Sequence, residues 1–298
     1  METSDLQFFL AVARAKSMSR ASEELLTVQS NISSRIRALE NEVGVPLFLR
    51  HARGVSLTSA GEKFLPYAER VGRLMQEGID LIGDIDDPSG RLAIGSMETT
   101  AGWRLPELLA AFTSDCPRVD LVLETGPTAA LVQGTLDSRL HGAFVAGPVA
   151  HPDLREETVF VEELVLVSSR NTPDLERALT SANPKALVFR SGCNYRRKLL
   201  ALLASRNKTE PAALDYGSLE GILGCVAAGM GVTILPRGVV SQWAADHRIA
   251  VHTLPEELSH AETTFVWRTE NQDTPAMSRF LAEMRKSSNF PQAQTIIG

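Results

Sequence analysis

Apolar positions recur with two different periods along this chain, and the change of period divides it. Leu6, Phe9, Leu10 and Ala13 share one side of a first helix. Ala21 and Leu25 support a second, which runs to Leu26 and which Ser19 can cap. Ile32, Ile36, Leu39 and Val43 follow i, i+4, i+7, i+11 on a third, with Thr27 placed to cap it. Three short helices of this kind enclose one small core, with the last two meeting at a turn. Gly44 ends the third helix, and an extended run to Arg50, a basic turn at His51–Gly54 and the segment Val55–Thr58 predict a short hairpin.

A longer helix follows. Ser59-Ala-Gly-Glu62 is a capping-box pattern opening a run to about Ile85, in which Leu65, Ala68, Gly72, Met75, Ile79 and Ile82 recur at heptad spacing. Val71, Leu74, Gly78, Leu81 and Ile85 make a second, adjoining stripe. Two stripes need more cover than the small N-terminal unit offers, which implies a partner helix; packing within its own chain is the alternative. Pro66 removes one backbone bond and predicts a kink. Residues 84–90, acidic and closed by Pro88 and Gly90, have the composition of a hinge. Beyond them, short apolar runs at 91–95, 119–124, 142–146, 163–167, 186–189 and 231–235 alternate with helical patterns, predicting an α/β region with largely parallel sheets and room for two lobes.

Charge refines the picture. The 298 residues carry a formal net charge of -6, which argues against a nucleic-acid binder, but between Ser17 and Leu57 five arginines face four glutamates, a local net of +1. So weak a field implies that affinity for DNA would need paired half-sites. Without a signal peptide or an apolar run of about 18 residues, a cytoplasmic protein that spans no membrane is expected. Cys116, Cys193 and Cys225 are widely spaced and lack a metal pattern, as reduced, packed thiols do. Nothing calls for a cofactor. Two rival chemistries remain: Cys193 as an enzyme nucleophile beside Arg196 and Arg197, or Cys193 and Cys225 as a redox switch.

The polar face of the third helix carries the sharper chemistry. Gln29, Ser30, Ser33, Ser34 and Arg37, with Arg35 on the flank, are short polar side chains plus arginine; they allow close approach to base edges and offer hydrogen bonds to bases or phosphates. Arg50 and Arg53 stand near the hairpin tip, suited to phosphate or minor-groove contact. Residues 28–40 (Val-Gln-Ser-Asn-Ile-Ser-Ser-Arg-Ile-Arg-Ala-Leu-Glu), 43–50 (Val-Gly-Val-Pro-Leu-Phe-Leu-Arg) and 57–61 (Leu-Thr-Ser-Ala-Gly) resemble the winged helix-turn-helix of LysR-type transcriptional regulators. The resemblance implies that Gln29, Ser33 and Arg50 contact DNA, while Val28, Ser30 and Ser34 stand where the family usually has Ser or Thr, Pro and Arg.

The resemblance further implies a division into a DNA-binding domain (1–58), a linker and dimerisation helix with hinge (59–90) carrying Leu65, Ala68, Val71, Gly72, Met75, Ile79 and Ile82, and a two-lobed effector domain (91–298) like the type 2 periplasmic binding proteins. The first lobe would hold about 91–161 and 268–298, the second about 162–267, with two crossovers. Homodimers and tetramers on double-stranded DNA, a small-molecule effector and RNA polymerase are the partners of such a regulator, which is not an enzyme. Ligands of α/β sheets sit at strand carboxyl ends. Three loops there offer polar groups: Ser96, Met97, Glu98, Thr99 and Thr100 after the first strand, Thr128 after the second, and Ser191 and Cys193 before the helix of Tyr195. Any one of these serines and threonines could equally be a simple helix cap. By resemblance, Ser96–Thr100 is the principal effector loop, Thr128 faces it across the cleft, and Phe144 and Phe189 line the walls. Glu98 stands where Ser or Thr is common; facing the cleft it would favour an amine or polyhydroxyl effector, and pointing outward it would only complement a helix dipole. His141 stands in the place of a frequent Asp.

Overall fold

A computed structural model describes residues 1–51, 54–82, 87–180, 184–189, 194–206, 211–271 and 273–287. The chain forms two compact units, Met1–Ile82 and Gly83–Gly298.

The first unit contains α1 (Thr3–Ala15), α2 (Met18–Glu24), α3 (Gln29–Val43), β1 (Phe48–His51), β2 (Gly54–Leu57) and α4 (Ser59–Leu81). Leu6, Phe9, Val12, Ala21, Ile32, Ile36 and Leu39 bury the stripes read from the sequence, and Phe9 packs 5.2 Å from Phe48 and 5.1 Å from Phe64 between ring centroids. Val43 does not join them: at the end of α3 it has passed beyond the small core and is exposed. The caps also differ from expectation. Ser17, not Ser19, caps α2 by accepting the Arg20 N–H, and Val28 rather than Thr27 precedes α3, with no side-chain cap. The left-handed backbone of Leu26 (φ 50°) is part of the connection, and Ser19 and Thr27 bond instead to Gln29 and Asn31 at 3.2 and 3.0 Å.

β1 and β2 pair antiparallel, with Phe48 opposite Leu57. Helix α4 then leaves along a fixed path. Thr58 Oγ1 donates to the Pro46 carbonyl and accepts the Gly61 N–H, and a Cβ at position 61 would strike the Leu47 carbonyl, so only glycine permits this approach. The helix continues through Pro66 and closes at Leu81, short of the expected Ile85, which lies outside the described residues with the rest of 83–86. Its apolar positions divide. Ala68 is buried in the unit's own core and Leu65 packs against it, whereas Val71, Leu74, Met75, Ile79, Leu81 and Ile82 are exposed.

The second unit runs β3 (Gly90–Ser96), α5 (Glu98–Trp103), α6 (Leu105–Asp115), β4 (Val119–Thr125), α7 (Thr128–Leu136), β5 (Gly142–Ala146), β6 (Leu154–Ser169), α8 (Leu175–Thr180), β7 (Ala186–Phe189), α9 (Asn194–Arg206), β8 (Ala213–Tyr216), α10 (Leu219–Ala227), β9 (Thr233–Pro236), α11 (Arg237–Ala245), β10 (Ile249–Thr253), β11 (His260–Arg268) and α12 (Pro275–Ser287). Strand β3 lies parallel to β4 and β5, and β7 parallel to β8. The sheets are nonetheless mixed rather than largely parallel. β11 runs antiparallel to β5 and to the first half of β6, and the second half of β6 pairs antiparallel with β9 and β10. These two long strands are the crossovers between lobes, and their opposite directions account for the departure.

Each lobe has its own core. Leu92, Ile94, Phe112, Phe144 and Phe265 fill the first with Phe280 and Met284 of α12, which returns from the C-terminal side. Leu164, Leu166, Leu199, Leu203 and Ile234 fill one face of the second, and Val165, Val167, Ile222 and Leu235 the other. Among the described residues, no helix is long and apolar enough to cross a membrane.

Candidate nucleic-acid interface and ligand cavity

The start of α3 presents one polar face. Gln29, Ser30, Ser34 and Arg37 are exposed and Ser33 is half-buried, a spacing that places Ser30, Ser33, Ser34 and Arg37 along one side of the helix. Val28 and Leu26, 64% and 94% exposed, lie beside this face and make its edge apolar. Arg35 is turned elsewhere. Its guanidinium lies 3.1 Å from Glu2 and 3.2 Å from the buried Asp5, so it clamps α1 to α3 instead of joining the exposed face.

Two contacts position the hairpin, one to the α1–α2 turn and one to α3. The Val55 N–H donates to the Lys16 carbonyl at 3.1 Å, which fixes β2 against the turn between α1 and α2. Glu40, not among the candidate site residues, accepts the N–H groups of Leu47 and Phe48 on one carboxylate oxygen at 2.8 and 3.1 Å. It holds the root of β1, and its only signal in the sequence is its place at the end of the Leu39-Glu40 motif. Arg50, two residues further along β1, is exposed; Arg53 lies outside the described residues.

In the second unit, the carboxyl ends of β3, β4, β7 and β8 converge on a cavity of about 280 Å³. Met97, Glu98 and Thr99 line it from the β3–α5 turn, Thr125–Thr128 from the β4–α7 turn, and Phe189, Tyr195, Tyr216 and Gly217 from the second lobe. Of the candidates, Met97, Glu98, Thr99, Thr128 and Phe189 therefore meet. Ser96 does not line it: its side chain is fully buried and donates to the Met97 carbonyl at 3.0 Å. Thr100 is buried outside the lining as well. Phe144 is not a wall residue either, because alternation along β5 turns it into the first lobe's core, 4.6 Å from Phe265 between ring centroids. Ser191 and Cys193 lie outside the described residues.

Sequence reasoning missed several lining residues, Tyr195 and Tyr216 among them, the latter since β8 was not expected; the Tyr216 hydroxyl donates to Cys225 Sγ at 3.2 Å. Thr128 also ties the first lobe together, its Oγ1 accepting the Ala146 N–H at 3.2 Å. It borders a second hollow of about 590 Å³ lined by Asn194, Arg196 and Arg197, where Arg196 pairs with Asp215 and Arg197 donates to Asn194 at 2.7 Å. His141 serves the framework, since its Nδ1 accepts the Ala93 N–H at 3.0 Å and so extends the bonding of β3. Burial pushes the Cys116 thiol up from its ordinary value, which makes it a poor nucleophile.

Helix α5 is anchored at its far end. Arg104 makes a two-pronged ion pair with the buried Glu162, at 2.7 and 3.0 Å, and lies over the Phe160 ring at 5.2 Å. Glu98, the first residue of this short helix, is thus joined through it to the crossover strand β6.

Comparison with known proteins finds matches for both regions of the chain. The model for bacterial regulatory helix-turn-helix proteins of the lysR family matches residues 3–62, and that for the LysR substrate binding domain matches residues 86–289. HTH-type transcriptional regulator GltR of Bacillus subtilis is 42% identical over 280 residues, covering 94% of this chain and 95% of its own length. CzcR of Bacillus anthracis is 37% identical over 281 residues, covering 94% and 96%. Among solved structures, CbnR in complex with its target DNA is similar with a TM-score of 0.68 and 26% identity, covering 96% of this chain and all of that one. A full-length OxyR of Pseudomonas aeruginosa shares the fold, with a TM-score of 0.71 at 22% identity and coverage of 96% and 95%.

Proposed function

We propose that this chain, which belongs to the LysR family of transcriptional regulators, reads double-stranded DNA through α3 and its hairpin wing, under control of a small molecule held in the 280 Å³ cavity. The base-reading set is Gln29, Ser30, Ser33, Ser34 and Arg37, with Arg50 and Arg53 on the flanking phosphates or minor groove. Arg35 is a positioning residue. The exposed stripe from Val71 to Ile82 pairs two copies, which supplies the second half-site that a local charge of +1 demands; effector units associate further into tetramers. The protein acts in the cytoplasm, with RNA polymerase as a further partner, and catalyses no reaction. Its division is 1–58 for DNA, 59–90 for pairing and hinge, and 91–298 for the effector.

The observation that carries this reading is the exposed Gln29–Arg37 face set beside a wing whose root Glu40 and Lys16 hold in place. The CbnR complex supports DNA as the partner of such a face. Selection of binding sites from random duplex DNA tests it. Full-length protein should enrich paired half-sites whose centres lie a whole number of helical turns apart, about 10 bp each. Gln29→Ala and Ser33→Ala should erode that enrichment at particular bases; if neither changes the selected sequence, the reading face has been wrongly assigned.

A further inference from the structure

The lining of the cavity is unusual in what it brings together. Among the described residues Glu98 is the charged one in the lining, and its side chain makes no hydrogen bond or ion pair with any of them. Facing the same small volume are Phe189, Tyr195 and Tyr216, so two of the chain's three tyrosines meet there. The Tyr216 hydroxyl is committed to Cys225, and what that residue offers a ligand is its ring. Among the described residues, the nearby cations lie outside this volume: Arg196 and Arg197 line the adjoining hollow and are occupied by Asp215 and Asn194.

We propose that the cavity selects a small organic cation, an amine or quaternary ammonium on a compact apolar body, by pairing it with Glu98 and facing it with the rings of Phe189, Tyr195 and Tyr216. This rests on reading the cavity as the effector site. A carboxylate and aromatic faces both attract positive charge, and both do so more strongly once water is excluded. A polyhydroxyl ligand fits poorly, because Met97, Pro127 and the rings leave most of the wall apolar. An anion would meet the Glu98 charge directly.

Matched probes separate the classes. Choline and phenethylamine should raise the melting temperature of the full-length protein and bind by calorimetry. Their neutral and anionic counterparts, 3,3-dimethylbutan-1-ol, 3,3-dimethylbutanoate and 3-phenylpropanoate, should do neither at equal concentration. Glu98→Gln should weaken the better cation at least about tenfold, and Tyr216→Leu roughly threefold to tenfold, while both variants keep their unliganded melting temperature within a few degrees. Equal binding of neutral or anionic probes, no binding by either cation, or cation binding untouched by Glu98→Gln would each overturn the proposal. If a neutral or anionic compound binds there and alters the DNA complex, the cation class fails while the effector reading stands. If a cation binds as described yet leaves the DNA complex unchanged, the site's chemistry stands and its regulatory role fails.

Discussion

Replacing Glu40 by alanine should damage DNA binding without removing any group that touches DNA. The carboxylate accepts two backbone N–H groups, from Leu47 at 2.8 Å and Phe48 at 3.1 Å, at the place where the chain turns from α3 into the wing. A hydrogen bond to a charged acceptor contributes about 1.5–3 kcal/mol when buried. Glu40 is only half-buried, so water recovers part of that loss and about 2 kcal/mol in total is the expected cost to the first unit. The tryptophans at 103, 243 and 267 all lie in the second unit, so hydrogen exchange of residues 1–82 is the suitable probe of stability. The Leu47 and Phe48 amides should lose protection first. On a selected operator, if Arg50 contacts a phosphate as proposed, the freed wing should lose that contact and lower the slope of log affinity against log salt by about 0.9 per half-site. Arg50→Ala should produce the same change, and the double variant should be little worse than either single one. Additive losses in the double variant, or an unaltered salt slope in Glu40→Ala, would refute the idea that Glu40 acts by placing Arg50.

Further outcomes follow from contacts elsewhere. His252 is buried, with Nε2 2.7 Å from Ser168 Oγ, and burial holds its pKa below the ordinary imidazole value of 6.5. Its folded form binds a proton less readily than the unfolded chain, so its contribution is fully present above pH 6.5 and is lost as pH falls toward the depressed folded value. Denaturant titrations across that range should show the loss, and His252→Gln should flatten it. Arg104→Met strands the buried Glu162 carboxylate and should cost about 3 kcal/mol by urea unfolding, most of which Arg104→Met with Glu162→Leu should restore; no recovery would deny that the ion pair is the cause. Val28 is exposed at the head of α3; if it packs on a thymine methyl, Val28→Ser should weaken a thymine preference in the selected sites by about 1 kcal/mol.

The sequence was most legible where period and turn chemistry agreed. The stripe of Ile32, Ile36 and Leu39, the stop at Gly44 and the strand Gly142–Ala146 all follow from it. It was least legible where a strand is covered on both faces. Phe144 and its neighbours Ala143 and Val145 are all apolar and all buried, and nothing local says which side holds the cavity. β6 showed only its inner half, since Leu154–Glu162 carries Arg155, Glu156 and Glu157 among its apolar positions and becomes a strand by pairing with β11. β8 is four residues long and gains its place from β7 beside it, so Tyr216 could not be assigned to the site. Arg35 was misread for a different reason: helical spacing put it on the flank of the polar face, and only the fold brings Asp5 and Glu2 to it.

The central claim is that occupancy of the cavity alters how α3 and the wing sit on DNA. The most direct measurement is a hydroxyl-radical footprint of the full-length protein on a selected operator, with and without a compound that raises its melting temperature. Wild-type protein should change the length or phasing of its protected tract on adding the compound, whereas Met97→Trp, which puts a larger ring into the cavity and obstructs the ligand, should give one footprint under both conditions. A footprint that the compound leaves unchanged in the wild type, or that shifts equally in Met97→Trp, would contradict the account.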